Sequence, residues 1–124
     1  MDVDVRWADA PYQYLADQKA VDLSFALAKG AGSVTVSQRV DSLQRLGCTG
    51  AVVWDGAVVM ARCLESWDAD GTLPMAGMRV VELGAGCGLT GCVAAALGAH
   101  VILTDQVRRR IPEVPFGAPR TVRV

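Results

Sequence analysis

The chain has 124 residues and a mass of 13.1 kDa, which allows a single domain at most. With 52% hydrophobic residues, 20% charged residues and a mean hydropathy of +0.29, it falls outside the disordered class of low hydrophobicity and high charge. The net charge of -1 conceals a division: residues 1–105 carry 7 Lys/Arg against 12 Asp/Glu, whereas residues 106–124 carry 5 Arg and one Glu.

In chain order, residues 1–15 alternate acids with Val3, Val5, Trp7, Tyr12 and Tyr14 and read as a loosely attached lead-in. From Ala16 to Lys29, Ala20, Leu23 and Leu27 recur at helical spacing, although Val21 and Phe25 broaden the stripe, and Gly30 and Gly32 stand where a helix would stop. Val34 and Val36 alternate within Ser33–Gln38, which suits a short strand, and Val40, Leu43 and Leu46 suggest a brief helical turn. Val52, Val53, Val59, Met60, Cys63, Leu64 and Trp67 predict a helical face from about Trp54–Asp55 to Trp67. Asp55 is expected as its N-cap, because a carboxylate there can accept from the free N–H groups of the first turn. Asp68-Ala69-Asp70-Gly71 then reads as a turn.

The most informative stretch follows. Val80, Val81 and Leu83 make an apolar strand within Arg79–Leu83, and Gly84-Ala85-Gly86-Cys87-Gly88 comes directly after it. Leu89–Leu97 is a helix rich in Ala, Leu and Val, closed by Gly98, and Val101–Leu103 is a second strand that stops at Thr104-Asp105. The order strand, glycine turn, helix, strand, acid is half of a doubly wound α/β unit. Glycine tolerates positive φ and lets backbone approach a ligand closely, and the helix that follows aims its N–H groups at the same space. A carboxylate at the tip of the neighbouring parallel strand, Asp105, can accept from both hydroxyls of a ribose. The pattern therefore asks for a small molecule containing a nucleoside.

Gly86-x-Gly88-x-x-Gly91 also spells a dinucleotide fingerprint, but it starts two residues late relative to the strand end. Glu82, inside the first strand, would repel a pyrophosphate and suits a ligand with an amino group or a positive charge; satisfying local backbone N–H groups is its other reading. Trp54, at a helix start, fits a core position as well as a ligand contact.

Val80-Val81-Glu82-Leu83-Gly84-Ala85-Gly86-Cys87-Gly88-Leu89, followed by Leu103-Thr104-Asp105, resembles the first two motifs of class I S-adenosylmethionine-dependent methyltransferases. Upstream, Gly50-Ala51-Val52-Val53-Trp54-Asp55-Gly56-Ala57 is similar to the methyltransferase-like protein-lysine methyltransferases, and the resemblance covers roughly residues 33–105. It implies a Rossmann-like doubly wound sheet, S-adenosylmethionine as cofactor and a protein lysine as methyl acceptor. By that resemblance Trp54 contacts the cofactor, Gly84, Ala85 and Gly86 line its methionine side, and Asp105 binds the ribose. Glu82 joins this cofactor-binding set, and no catalytic residue is assigned.

The resemblance implies seven strands, whereas the chain supplies the first two and ends 19 residues past Asp105. It therefore reads as truncated after the second strand, with an apolar sheet edge open to a partner chain. Such a chain is expected to bind the cofactor weakly or not at all and to turn over little. Three parts follow: lead-in and helix (1–32), the N-terminal part of a methyltransferase domain (33–105), and a Pro/Arg-rich tail expected to be disordered (106–124). The Arg108–Arg110 run is read as a solvated tail rather than a nucleic-acid contact. Cys48, Cys63, Cys87 and Cys92 show no paired metal-ligand spacing and read as free thiols. No secretory signal or membrane span is legible, so a cytoplasmic or nuclear location is expected. A non-enzymatic interaction module and a nicotinamide-dinucleotide half-domain are the competing readings.

Overall fold

Leu23 and Phe25 face the same side as Val34 and Val36, and that shared apolar side builds the first of two small sheets. The computed structural model describes residues 15–28, 32–40 and 49–105, together with the backbone of 121–123. Strand β1 (Asp22–Ala26) runs antiparallel to β2 (Ser33–Ser37), with Leu23 opposite Val36 and Phe25 opposite Val34. This corrects the helix expected over Ala16–Lys29. Leu23, Phe25 and Leu27 also lie two residues apart, and a cross-strand partner with two buried valines favours that period over the helical one. Gly32, at φ 117°, belongs to the hairpin rather than to a helix stop: its carbonyl accepts from the Leu27 N–H at 2.9 Å.

The lead-in over residues 1–14 and nearly all of the turn expected at Val40–Leu46 lie outside the described residues. The tail differs from expectation at its end. There β5 (Thr121–Arg123) pairs in parallel with β2, giving the sheet order β1-β2-β5, while residues 106–120 lie outside the description.

Helix α1 spans Asp55–Asp70, most of a turn longer than predicted, and Gly71 ends it in the left-handed conformation at φ 77°. Trp54, not Asp55, takes the N-cap position, and it makes no side-chain cap. The Asp55 carboxylate instead accepts from the Leu15 N–H at 2.7 Å, tying the helix start to a distant segment. The buried face also shifts. Ala57, Val58, Ala61, Leu64 and Glu65 point inward, whereas the predicted members Val59 and Met60 are exposed.

The remaining elements follow the expected order. Strand β3 (Arg79–Leu83), helix α2 (Leu89–Ala96) and strand β4 (His100–Thr104) form a βαβ unit, with β3 and β4 parallel and Glu82 opposite Leu103. Helix α2 is nearly all apolar, as its place requires: it packs on β3 and β4, on α1 and on β2, bridging both sheets. One core results, in which Phe25, Val34 and Val36 join Met75, Leu89, Cys92, Val93 and Val101. The outer face of the second sheet carries Val81, Leu83 and Ile102, which are 58%, 81% and 54% exposed. Among the described residues the molecule is thus a mixed α/β fold with two small sheets, and no helix is long and apolar enough to cross a membrane.

Candidate functional site

The glycine turn after β3 is shaped by three hydrogen bonds from its own N–H groups. The Ala85 N–H donates to the Thr104 carbonyl at 2.9 Å, and the Gly88 N–H donates to the Ala85 carbonyl at 2.7 Å. The Gly86 N–H donates to Asp105 Oδ2 at 2.6 Å. That last bond fixes the carboxylate at the tip of β4 against the turn at the end of β3. Gly86 has φ 54°, a left-handed conformation that favours glycine, and it lies against the Gly50 backbone, which a Cβ would meet at 3.4 Å.

The short 3-10 turn Thr49–Ala51 leans onto the glycine turn from the other side. Trp54 fastens that segment by donating its indole N–H to the Thr49 carbonyl at 2.6 Å. Its ring remains 42% exposed and lines the cleft. The cleft has a volume of about 970 Å³, and Trp54, Glu82, Gly84, Ala85, Gly86 and Asp105 all line it. The six residues singled out from sequence therefore meet in one place.

Glu82 points from β3 under the start of α2. Its Oε2 accepts from the Gly91 N–H at 2.8 Å, and its backbone carbonyl accepts from the Thr104 hydroxyl at 2.9 Å. Burial raises the Glu82 carboxyl above its ordinary value, and bonds from Gly91 and the Thr90 hydroxyl oppose the rise. Burial, with the negative charge of Asp105, pushes the Cys87 thiol up to about 11; burial with Glu82 takes Cys92 to about 12. Neither thiol is an activated nucleophile. Among the described residues Cys63, Cys87 and Cys92 are free thiols, and no group of metal-ligating side chains is present.

Sequence reasoning missed two participants. Gly50 belongs to the quoted upstream stretch, but only the fold shows that its backbone meets Gly86. Gly91 looked like the third glycine of a dinucleotide pattern. In the structure a Cβ there would overlap the Leu103 side chain and lie 2.6 Å from Glu82 Oε2, so its bareness makes room for a carboxylate.

The chemistry of the lining is one-sided. Glu82 and Asp105 are its charged side chains, and no Lys, Arg or His lines the cleft among the described residues. A family model described as lysine methyltransferase matches residues 36–112, more than half of the chain and the whole of this cleft. The chain belongs to the lysine methyltransferase family. It is similar to the protein N-lysine methyltransferase METTL21A of Danio rerio, 54% identical over 63 residues that make up 51% of this chain and 27% of the relative. The Mus musculus METTL21A is 54% identical over 56 residues, 45% of this chain and 24% of that protein. The protein-lysine methyltransferase METTL21E of Bos taurus is 47% identical over 58 residues, 47% of this chain and 19% of the relative. The chain thus matches about a quarter of these family members' length.

Proposed function

We propose that this chain provides the donor-binding part of an S-adenosylmethionine-dependent protein-lysine N-methyltransferase. The observation that carries the reading is the 2.6 Å bond from the Gly86 N–H to Asp105 Oδ2, which joins the glycine turn and the carboxylate at the tip of β4 in one cleft. On this reading β3–α2–β4 is part of a Rossmann-like doubly wound sheet, and the cleft lies at the carboxyl ends of its strands. The family and the names of its relatives support a protein lysine as the acceptor.

The donor set fits the cofactor. Two carboxylates with no basic neighbour among the described lining residues suit a ligand that carries a sulfonium and an ammonium group. Asp105 would accept from the ribose hydroxyls, Gly84, Ala85 and Gly86 would face the methionine portion, and Trp54 would cover the ligand from the α1 side. When bound, S-adenosylmethionine supplies an electrophilic methyl group. The contribution of these residues is orientation and the exclusion of water from one wall of the site.

The assembled cleft supports saturable binding. Calorimetric titration with S-adenosylhomocysteine tests it. Saturable binding by the natural chain, weakened at least about tenfold in Asp105→Ala, is expected, since the ribose would lose a charged acceptor. A folded protein that takes up no S-adenosylhomocysteine would overturn the reading.

A further inference from the structure

Val52 and Val53 lie between the Thr49–Ala51 turn and the start of α1, and both line the cleft. A buried residue outside helix and strand has to find partners for its N–H and carbonyl beyond regular structure. Val53 is 2% exposed, and two glutamines supply those partners. Its N–H donates to Gln38 Oε1 at 2.8 Å, and its carbonyl accepts from Gln18 Nε2 at 3.1 Å. Beside Gln38, the Arg39 N–H donates to the Ala51 carbonyl at 2.7 Å. The two residues that follow β2 thus grip the segment on either side of Val52, without lining the cleft themselves.

We propose that Gln38 is a positioning residue of the cleft: outside the ligand space, it sets where Val53, and through it Trp54, stands. Its carboxamide is fully used. Nε2 donates to the Asp17 and Ala20 carbonyls, both at 2.8 Å, while the Gln38 backbone N–H donates to the Val21 carbonyl at 2.6 Å. A buried amide tied at every polar atom is stiff, so it offers the Val53 N–H one place rather than several. A residue that only closed the Asp17–Ala20 turn would need Nε2 alone, yet Oε1 is engaged by Val53, 15 residues away. Trp54 comes next in the chain, begins α1 and presents its ring to the cleft. The consequence for a cofactor rests on the donor-binding reading; the placement of Trp54 rests on the geometry alone.

The test titrates S-adenosylhomocysteine into the natural chain, Gln38→Met and Arg62→Met, at a temperature where urea unfolding shows each protein folded. Methionine has the length of glutamine and fills its space but makes none of its bonds. Arg62→Met is the control, because Arg62 clamps the hairpin through Phe25, the Ala26 carbonyl and Glu65 rather than through Val53. Affinity is expected to fall at least about fivefold in Gln38→Met and to stay within about twofold in Arg62→Met, since a displaced wall costs binding and a loosened hairpin does not. The second readout needs no ligand. The Trp54 indole N–H resonance, which reports the 2.6 Å bond to the Thr49 carbonyl, should shift in Gln38→Met and hold its place in Arg62→Met. A Gln38→Met protein with natural affinity or an unmoved Trp54 resonance overturns the proposal. Equal losses in the two variants overturn it as well, because Gln38 would then stabilise the fold and nothing more. Should Gln38→Met fail to fold, Gln18→Met, which loses only the bond to the Val53 carbonyl, decides by the same resonance: a shift supports the proposal and no shift overturns it. If S-adenosylhomocysteine binds none of these proteins, the donor-binding reading falls while the Trp54 resonance still decides the placement.

Discussion

The two sheets of this molecule are held in different ways. The first is clamped by side chains reaching across the chain. Gln38, 4% exposed, donates from Nε2 to the Asp17 and Ala20 carbonyls, both at 2.8 Å, and its Oε1 accepts from the Val53 N–H at 2.8 Å. Arg62 lies 3.9 Å from the Phe25 ring centre and donates to the Ala26 carbonyl and to Glu65, while Glu65 also accepts from the Ala28 N–H. The second sheet is held within one βαβ unit by Glu82, Thr104, Asp105 and the glycine turn, and leaves its outer face bare. The difference separates scaffold from site. Long-range clamps fix α1 and the hairpin, whereas β3, the glycine turn, α2 and β4 are joined by contacts that close within about one crossover, and Thr49–Ala51 and Trp54 complete the cleft from earlier in the chain.

Gly91→Ala should break the second region most severely. The added methyl would overlap the Leu103 side chain and press on Glu82 Oε2, with strand β4 behind the first and β3 behind the second. Overpacking of this kind costs about 1–3 kcal/mol, and the loss of the Glu82 bond adds about 1 kcal/mol or more. Urea unfolding should show a loss of about 3 kcal/mol. A variant within about 0.5 kcal/mol of the natural chain would mean that α2 is not pinned to its strands as described.

In the first region the corresponding lesion is Gln38→Ala, with a smaller expected effect. It strands the buried Val53 N–H and removes a donor from two carbonyls, while the strands themselves remain paired. Leaving one buried N–H without a partner costs about 1–3 kcal/mol, and a loss of about 2 kcal/mol in urea is expected. The clamp ties the segment before β1 to Val53, which precedes α1 and lines the cleft, so S-adenosylhomocysteine affinity at temperatures where the variant is folded should weaken as well. A variant within about 0.5 kcal/mol of the natural chain would mean that Gln38 is not the clamp that holds the first sheet.

The same distinction governs what could be read from the amino-acid sequence. β3, α2 and β4 were legible nearly to the residue because their signals are local: an apolar run, a glycine turn at its end, an Ala-rich helix and a second apolar run. β1 was misread because Leu23, Phe25 and Leu27 satisfy a period of two while Ala20, Leu23 and Leu27 satisfy a helical one. The arbiter, two buried valines in β2, is tertiary. Asp55 has the chemistry of a cap, yet its partner is Leu15, 40 residues away, which no local pattern announces. At the site, residue types disclosed the glycines and Asp105, but the match between Gly91 and Glu82 depends on how the helix sits on its strand.

The smallest effect concerns Glu82 and pH. Its carboxyl titrates above the ordinary value in the folded chain because burial disfavours the charged form. In the window between the ordinary and the raised value the folded state holds more proton than the unfolded state, so stability falls as pH rises through that window and then levels. Asp70, lowered by its bonds from Thr72, acts in the opposite sense and in a more acidic window below its ordinary value, with stability rising as pH rises. That contribution is common to the natural chain and Glu82→Gln and cancels in the difference between them. The urea midpoint of Glu82→Gln relative to the natural chain should therefore climb from acid to neutral pH, because the amide keeps an acceptor for Gly91 and has no charge to bury. A difference that stays constant over that range would mean that the carboxylate is as well solvated in the fold as outside it, and the contrast between a locally built site and a clamped scaffold would lose its electrostatic side.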